Sequence, residues 1–197
     1  MQLNEEGVLR AFEARGYKVF KSAYSVNIFG IRMKTGTNLF DDYVCVAYYD
    51  NQGCFMNHIY QATTEPGDDY MLNPLHKDGT AIMLEGQYRG AYKLLHHRNY
   101  PALRQVKPIK FFRDNDKDRD HDLEGKGKVI DEVILANIHH ANNSKSTPST
   151  YVDKWSAACQ VIRKITDWDK FLELVRISEH KYGNSFTYTL FNKSDFE

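Results

Sequence analysis

The chain has 197 residues, enough for one folded unit with a real core and cramped for two. Its 26 Lys plus Arg equal its 26 Asp plus Glu, so it lacks the basic excess that drives phosphate neutralisation, and nucleic acid is set aside as a partner. Three cysteines without a CxxC spacing exclude a disulfide framework and a cysteine zinc module, and no stretch approaches the ~20 apolar residues of a membrane span.

Residues 5–15, "EEGVLRAFEAR", place Val8, Leu9, Ala11 and Phe12 on one side of a short helix ending at Gly16. The charged, amphipathic opening does not read as a signal peptide, so none is expected. The expected localisation is synthesis in the cytoplasm, with another route of delivery if the substrate lies outside it. "YKVFKSAYSVNIFGIRM" reads as strand, turn and strand. "DDYVCVAYYD" and "CFMNHIYQATT" read as two strands joined by a hairpin turn at Asn51-Gln52-Gly53. Cys45 and Cys54 fall in these strands and are expected to be buried structural sulfurs.

"TTEPGDDYMLNPLHKDGT", with two prolines and two glycines, reads as a loop. "AIMLEGQYRGAYKLLHHRNYPALRQ" and "PIKFFRD" supply further strands, and "VIDEVILANIHH" is the most hydrophobic β-run, expected as a central strand. "ANNSKSTPST" is a polar loop. In "TDWDKFLELVRISEHKYG", Trp168, Phe171, Leu172, Val175 and Ile177 mark one face of a long helix. Thr166 with Asp169 resembles a capping box, and Gly183 fits the stop. "SFTYTLF" closes as a strand. Without repeat or linker, residues 1–197 read as a single α+β, β-dominated domain with a short N-terminal helix and one long late helix.

The third cysteine, Cys159, stands in "WSAACQVI", twenty residues after His139 in "ANIHHANN". A thiol nucleophile needs a nearby base, an oriented imidazole and amides aimed at the oxyanion. A polar loop of this length can bring the two together, and the small Ser156, Ala157 and Ala158 leave the backbone open to a substrate carbonyl. On spacing alone, a buried cysteine beside two hydrogen-bonded histidines is an equal reading.

Ile138-His139-His140, a loop, then Ser156-Ala157-Ala158-Cys159 resembles the signature of the L,D-transpeptidase (YkuD-type) family. "YQATTEPG", "GTAIMLEGQYRGAYKLLHH" and "WSAACQV" together resemble a divergent phage- and prophage-type subgroup of it, over roughly residues 25–197. The resemblance implies a mixed β-sandwich or barrel and cysteine-dependent acyl transfer or hydrolysis on peptidoglycan stem peptides, without a cofactor. In it Cys159 is the nucleophile, His139 the base and the His140 carbonyl the group that orients the imidazole. Ser156 braces the turn, and the amides of Ala158 and Cys159 form the oxyanion hole. Where the family has His-Gly this chain has Ala157-Ala158, and Gln160 replaces a following arginine. If that glycine needs a positive φ, alanine strains the turn. The rival reading is a cell-wall-binding module that kept the fold and lost the chemistry.

Substrate contacts are expected from Tyr88, Arg89, Tyr92, His97 and Arg98, with Arg89 pairing a carboxylate, and from Trp155 and Gln160 beside the motif. "DNDKDRDHDLE" places Asp114, Asp116, Asp118, Asp120 and Asp122 at alternate positions, like the opening of a calcium loop. Arg119 stands where that loop needs glycine and Gly125 where it needs glutamate, so a solvated charged loop is the expectation. The eight histidines show no HExxH or other ligand spacing, which leaves a metal-dependent hydrolase as a minor alternative.

Overall fold

The structure is a computed structural model and describes residues 1–121 and 128–197. Helix α1 (Glu5–Ala14) starts at Asn4, whose side chain accepts from the Gly7 amide at 3.1 Å, with Glu5 and Glu6 against the positive helix end. Val8, Ala11 and Phe12 are buried, as an i, i+3, i+4 stripe should be. They pack on Phe29, Ile31, Phe191 and Phe196. Strand β1 (Asn27–Arg32) is therefore buried on both faces, because α1 covers the outer one.

Strands β2 (Asp42–Tyr49) and β3 (Phe55–Thr63) form the expected hairpin, with Gly53 at φ 79 in the turn. Cys45 is buried in β2, whereas Cys54 lies just before β3 and is exposed, contrary to expectation, because it belongs to the turn. Helix α2 (Asp68–Leu72) interrupts the segment read as loop. Strands β4 (Thr80–Met83), β5 (Gly86–His97), β6 (Tyr100–Gln105) and β7 (Ile109–Asp114) follow.

The run "VIDEVILANIHH" is not one strand. It divides into β8 (Ile130–Glu132) and β9 (Ile138–His140), broken where Leu135 takes φ 62. Residues 17–20 also form no strand; the backbone amide of Phe20 donates to Asn27 Oδ1 at 2.8 Å instead of joining a sheet. After a 3₁₀ turn (Asp153–Trp155) come β10 (Gln160–Ile162), α3 (Ile165–Tyr182) and β11 (Phe186–Asn192). Helix α3 ends at Gly183 (φ 86), but Lys164 caps its start without a side-chain bond, so the Thr166–Asp169 capping box is not formed.

The main sheet is a closed, eight-stranded mixed barrel in the order β1-β11-β5-β6-β9-β10-β3-β2, and β4-β7-β8 form a small second sheet. β1 pairs with β11, and β9 with β10, in parallel. Ile28, Val44, Val46, Tyr92, Leu103, Ile138, Ile162, Tyr188 and Leu190 fill the core, onto which Trp168, Phe171 and Val175 of α3 pack. Gly30 has a packing reason: a Cβ there would lie 1.9 Å from the Tyr188 hydroxyl oxygen. That hydroxyl donates to Gln160 Oε1 at 2.8 Å inside the barrel.

Candidate active site

The parallel β9–β10 ladder sets Ile138 beside Gln160, His139 beside Val161 and His140 beside Ile162. Because strand side chains alternate, Ala136, Ile138, Ala158 and Ile162 enter the core and Asn137, His139, Cys159 and Val161 share the opposite face. Cys159, one residue before β10, thus stands two positions from Val161, the ladder partner of His139.

The His139 ring is buried, and its Nδ1 lies 2.8 Å from the His140 carbonyl oxygen. A carbonyl can only accept, so Nδ1 carries the proton and Nε2 is left with a lone pair. His97 stacks on this ring at 5.1 Å and 17°, and its own Nδ1 lies 3.4 Å from the Asn137 amide nitrogen. Burial pushes the His139 pKa down to about 4, with the neighbouring His97, His140 and Arg98 adding to the effect.

Cys159 packs against Phe40, Ala141, Val152 and Val161 on one side. On the other it borders a cleft of about 260 Å³ with Ala157, Ala158, Leu135 and Arg113. Burial pushes its pKa up to about 11, partly opposed by the Asn137 amide. Its Sγ lies 3.7 Å from the Leu135 carbonyl oxygen; among the described residues no hydrogen bond joins it to His139. Gln105 fixes Leu135 by accepting from the amides on either side of it, Ile134 at 3.1 Å and Ala136 at 2.9 Å.

The turn before Cys159 is held from several sides. Buried Ser156 donates its hydroxyl to the Cys159 carbonyl at 2.8 Å, and its own carbonyl accepts from the Gly67 amide at 2.9 Å. Asn38 Oδ1 accepts from the Asp153 amide at 2.6 Å. Neither Ala157 nor Ala158 is in the left-handed region, so the turn carries no strain from the alanines. Among the described residues, the amides of Ala158 and Cys159 have no acceptor within the protein.

Several expected substrate contacts lie elsewhere. Tyr92 is fully buried in the core, and Tyr88 is buried with its hydroxyl on the Leu84 carbonyl at 2.6 Å. They alternate with exposed Arg89 and Lys93, so β5 turns its aromatic face inward. Arg89 borders a separate hollow with Phe20, Lys107 and Ser185. Gln160 points into the barrel, and Trp155 and Arg98 are on the surface, outside the cleft lining. Of that set His97 stacks on His139, Arg98 acts on it only through its charge, and Gln160 Nε2 donates to the Ala158 carbonyl at 3.3 Å. Sequence reasoning missed Leu135, Gln105, Asn137 and Arg113, which no local motif marks.

In the acidic run, the amides of Asp116, Asp118 and Asp120 each face the carboxylate two residues earlier, at 3.4, 3.3 and 3.1 Å. Asp114 is buried at the end of β7, and Asp122 and Gly125 lie outside the described residues. Among the described residues no group of three or more His, Cys, Asp and Glu side chains could hold a metal ion, and no helix is long and apolar enough to cross a membrane.

No family model, curated protein or solved structure matches the chain.

Proposed function

We propose that the protein is a cysteine-dependent acyltransferase or peptidase, with Cys159 as nucleophile and His139 as base, acting on peptide acyl donors of the peptidoglycan stem-peptide class. The observation that carries this reading is the anchoring of His139 Nδ1 on the His140 carbonyl at 2.8 Å. It leaves Nε2 as a proton acceptor on the strand face shared with Cys159. The substrate class comes from the resemblance of the Ile-His-His and Ser-Ala-Ala-Cys segments to the transpeptidase signature.

The resting pair is neutral, since burial raises the thiol and lowers the imidazole. Proton transfer therefore accompanies attack and does not precede it. The thiol leaves the Leu135 carbonyl and passes its proton to His139 Nε2 while Sγ bonds to the substrate carbonyl carbon. The carbonyl oxygen takes up the electron pair and is received by the amides of Ala158 and Cys159. Collapse expels the amine, protonated by the imidazolium, and leaves a thioester. An amine or water then resolves it, giving transfer or hydrolysis.

Incubation with defined muropeptides tests this. New products and an acylated Cys159 in mass spectra are expected, both lost in Cys159→Ala. Products that persist in that variant but vanish with a chelator would replace this reading with a metal-dependent one. The thiol's contact with Leu135 in place of His139 favours one second reading, a peptide-binding module without chemistry. Binding by wild type with no product at any pH would select it.

A further inference from the structure

We infer that the cleft beside Cys159 is a carboxylate-binding site with Arg113 as its cation, so that the molecule approaching the thiol carries a carboxylate. The anion site stands on the chemistry of the cleft. Only its role in selecting an acyl donor rests on Cys159 being a nucleophile.

The charges lining the cleft are one-sided. Arg113 and His76 are its basic residues, and no aspartate or glutamate lines it. His76 Nδ1 faces Asp78 at 3.6 Å, on the solvent side. Arg113, by contrast, is half-buried, and among the described residues no carboxylate pairs with it. Arg15, Arg32 and Arg119 each have such a partner, at 2.7, 3.1 and 3.8 Å.

The guanidinium is held without being neutralised. Nη1 donates to the Gly79 carbonyl at 2.9 Å, and the guanidinium carbon lies 5.2 Å from the centre of the Phe111 ring. Gly79 is required there: it sits at φ 104, and a Cβ would meet the Asp114 carbonyl oxygen at 2.0 Å. A guanidinium has five donors and fits a carboxylate in fork geometry. One bond to a backbone carbonyl leaves most of that capacity for a ligand, in a setting where water screens the charge less than at an open surface.

Size and rim narrow the ligand. About 260 Å³ falls just below the ~300–1,000 Å³ of ordinary small-molecule sites, which suits a terminal residue or short acidic segment. Leu75, 78% exposed, and Leu135, 50% exposed, give it apolar flanks. The class indicated is a short peptide or acyl compound with a carboxylate close to the reacting carbonyl and an apolar group beside it.

The thiol itself reports on the site. The intact protein is alkylated at pH 9 with anionic iodoacetate or neutral iodoacetamide, and rates are read separately at Cys159 and at exposed Cys54 by peptide mass spectrometry. The iodoacetate-to-iodoacetamide rate ratio at Cys159 is expected to exceed that at Cys54 on the order of tenfold, one such factor being about 1.4 kcal/mol. Arg113→Gln should bring the two ratios together, since the ratio cancels any change in thiolate fraction at Cys159, and Arg113→Lys should keep part of the excess. Equal ratios in wild type, or an excess that survives Arg113→Gln, overturn the inference. Succinate titration followed at the Arg113 Nε–H resonance gives a second reading, with a saturable shift expected and a non-saturating response counting against the site. Neither measurement needs turnover. A flat ratio in wild type, with products lost in Cys159→Ala, sinks the anion site alone, and a high ratio in wild type, with products that survive Cys159→Ala, sinks the nucleophile alone.

Discussion

The Cys159 thiol rests 3.7 Å from the carbonyl oxygen of Leu135, a residue held at φ 62. A left-handed leucine costs about 1–2 kcal/mol, and the buried Gln105 side chain offsets it. Its Oε1 accepts from Ile134 and Ala136, and its Nε2 donates to the carbonyls of Lys107 at 2.9 Å and Glu132 at 3.0 Å. Backbone strain of this kind beside a thiol that borders a cleft is a pointer to function.

Gln105→Ala removes four hydrogen bonds to backbone groups and should lower unfolding stability by about 2–4 kcal/mol, read by urea denaturation. Leu135→Gly should cost no more than about 1 kcal/mol, because glycine adopts that φ freely. A loss as large as that of Gln105→Ala would show that the leucine side chain, not its backbone, matters there.

Alkylation of Cys159 by iodoacetamide should climb about tenfold per pH unit from 7 towards 10, since the thiol is pushed up to about 11 and only the thiolate reacts. A plateau near neutrality would mean a standing thiolate–imidazolium pair and would contradict the neutral resting site.

Ser156→Ala should destabilise by about 1–2 kcal/mol and reduce any acyl-transfer rate more than it weakens substrate binding, because its hydroxyl fixes the Cys159 carbonyl and with it the adjoining turn. Kinetics that change only in KM would place Ser156 outside that role.

Away from the thiol, both ring nitrogens of His121 face acceptors, Glu65 Oε2 at 3.0 Å and the Pro66 carbonyl at 3.1 Å, which only an imidazolium satisfies. Burial works against both charges. The Glu65 hydrogen bond and charge nevertheless raise His121, and the His121 hydrogen bond with the charge of Arg32 lowers Glu65. The His121 contribution is complete below its unfolded value near 6.5 and fades as pH rises through the raised folded value. That of Glu65 is complete above about 4.3 and fades as pH falls through the lowered one. His121 should titrate above 6.5 by NMR in wild type and fall in Glu65→Gln. An unchanged midpoint would refute the pairing.

Gly30→Ala should be among the most damaging single changes, at about 2–4 kcal/mol, since its Cβ would collide with the Tyr188 hydroxyl that bonds Gln160. Tyr188→Phe in the same chain should recover part of the loss by removing the clashing oxygen, measured by thermal unfolding.

Local pattern made some of this legible. The Val8, Ala11, Phe12 spacing marked α1, and the Trp168-to-Val175 stripe marked α3, because one turn of helix brings those residues to one face. The hairpin at Gly53 followed from its turn residues. The capping box at Thr166 did not form, since the helix starts one residue before it at Ile165. Burial of Tyr88 and Tyr92 could have been read from their alternation with Arg89 and Lys93, which sends tyrosine and charge to opposite faces of β5.

By itself the sequence determined a β-dominated α+β chain with one short and one long helix, and it singled out His139, Ser156 and Cys159 as the positions where chemistry could reside. Tertiary structure alone decided that β9 and β10 pair in parallel, that Leu135 breaks the hydrophobic run, and that Arg113 from a second sheet borders the same cleft as the thiol. The physical reason is range: periodicity and turn chemistry act over a few residues, whereas Gln105 reaches Leu135, and Arg113 reaches the cysteine's cleft, only after the barrel has closed.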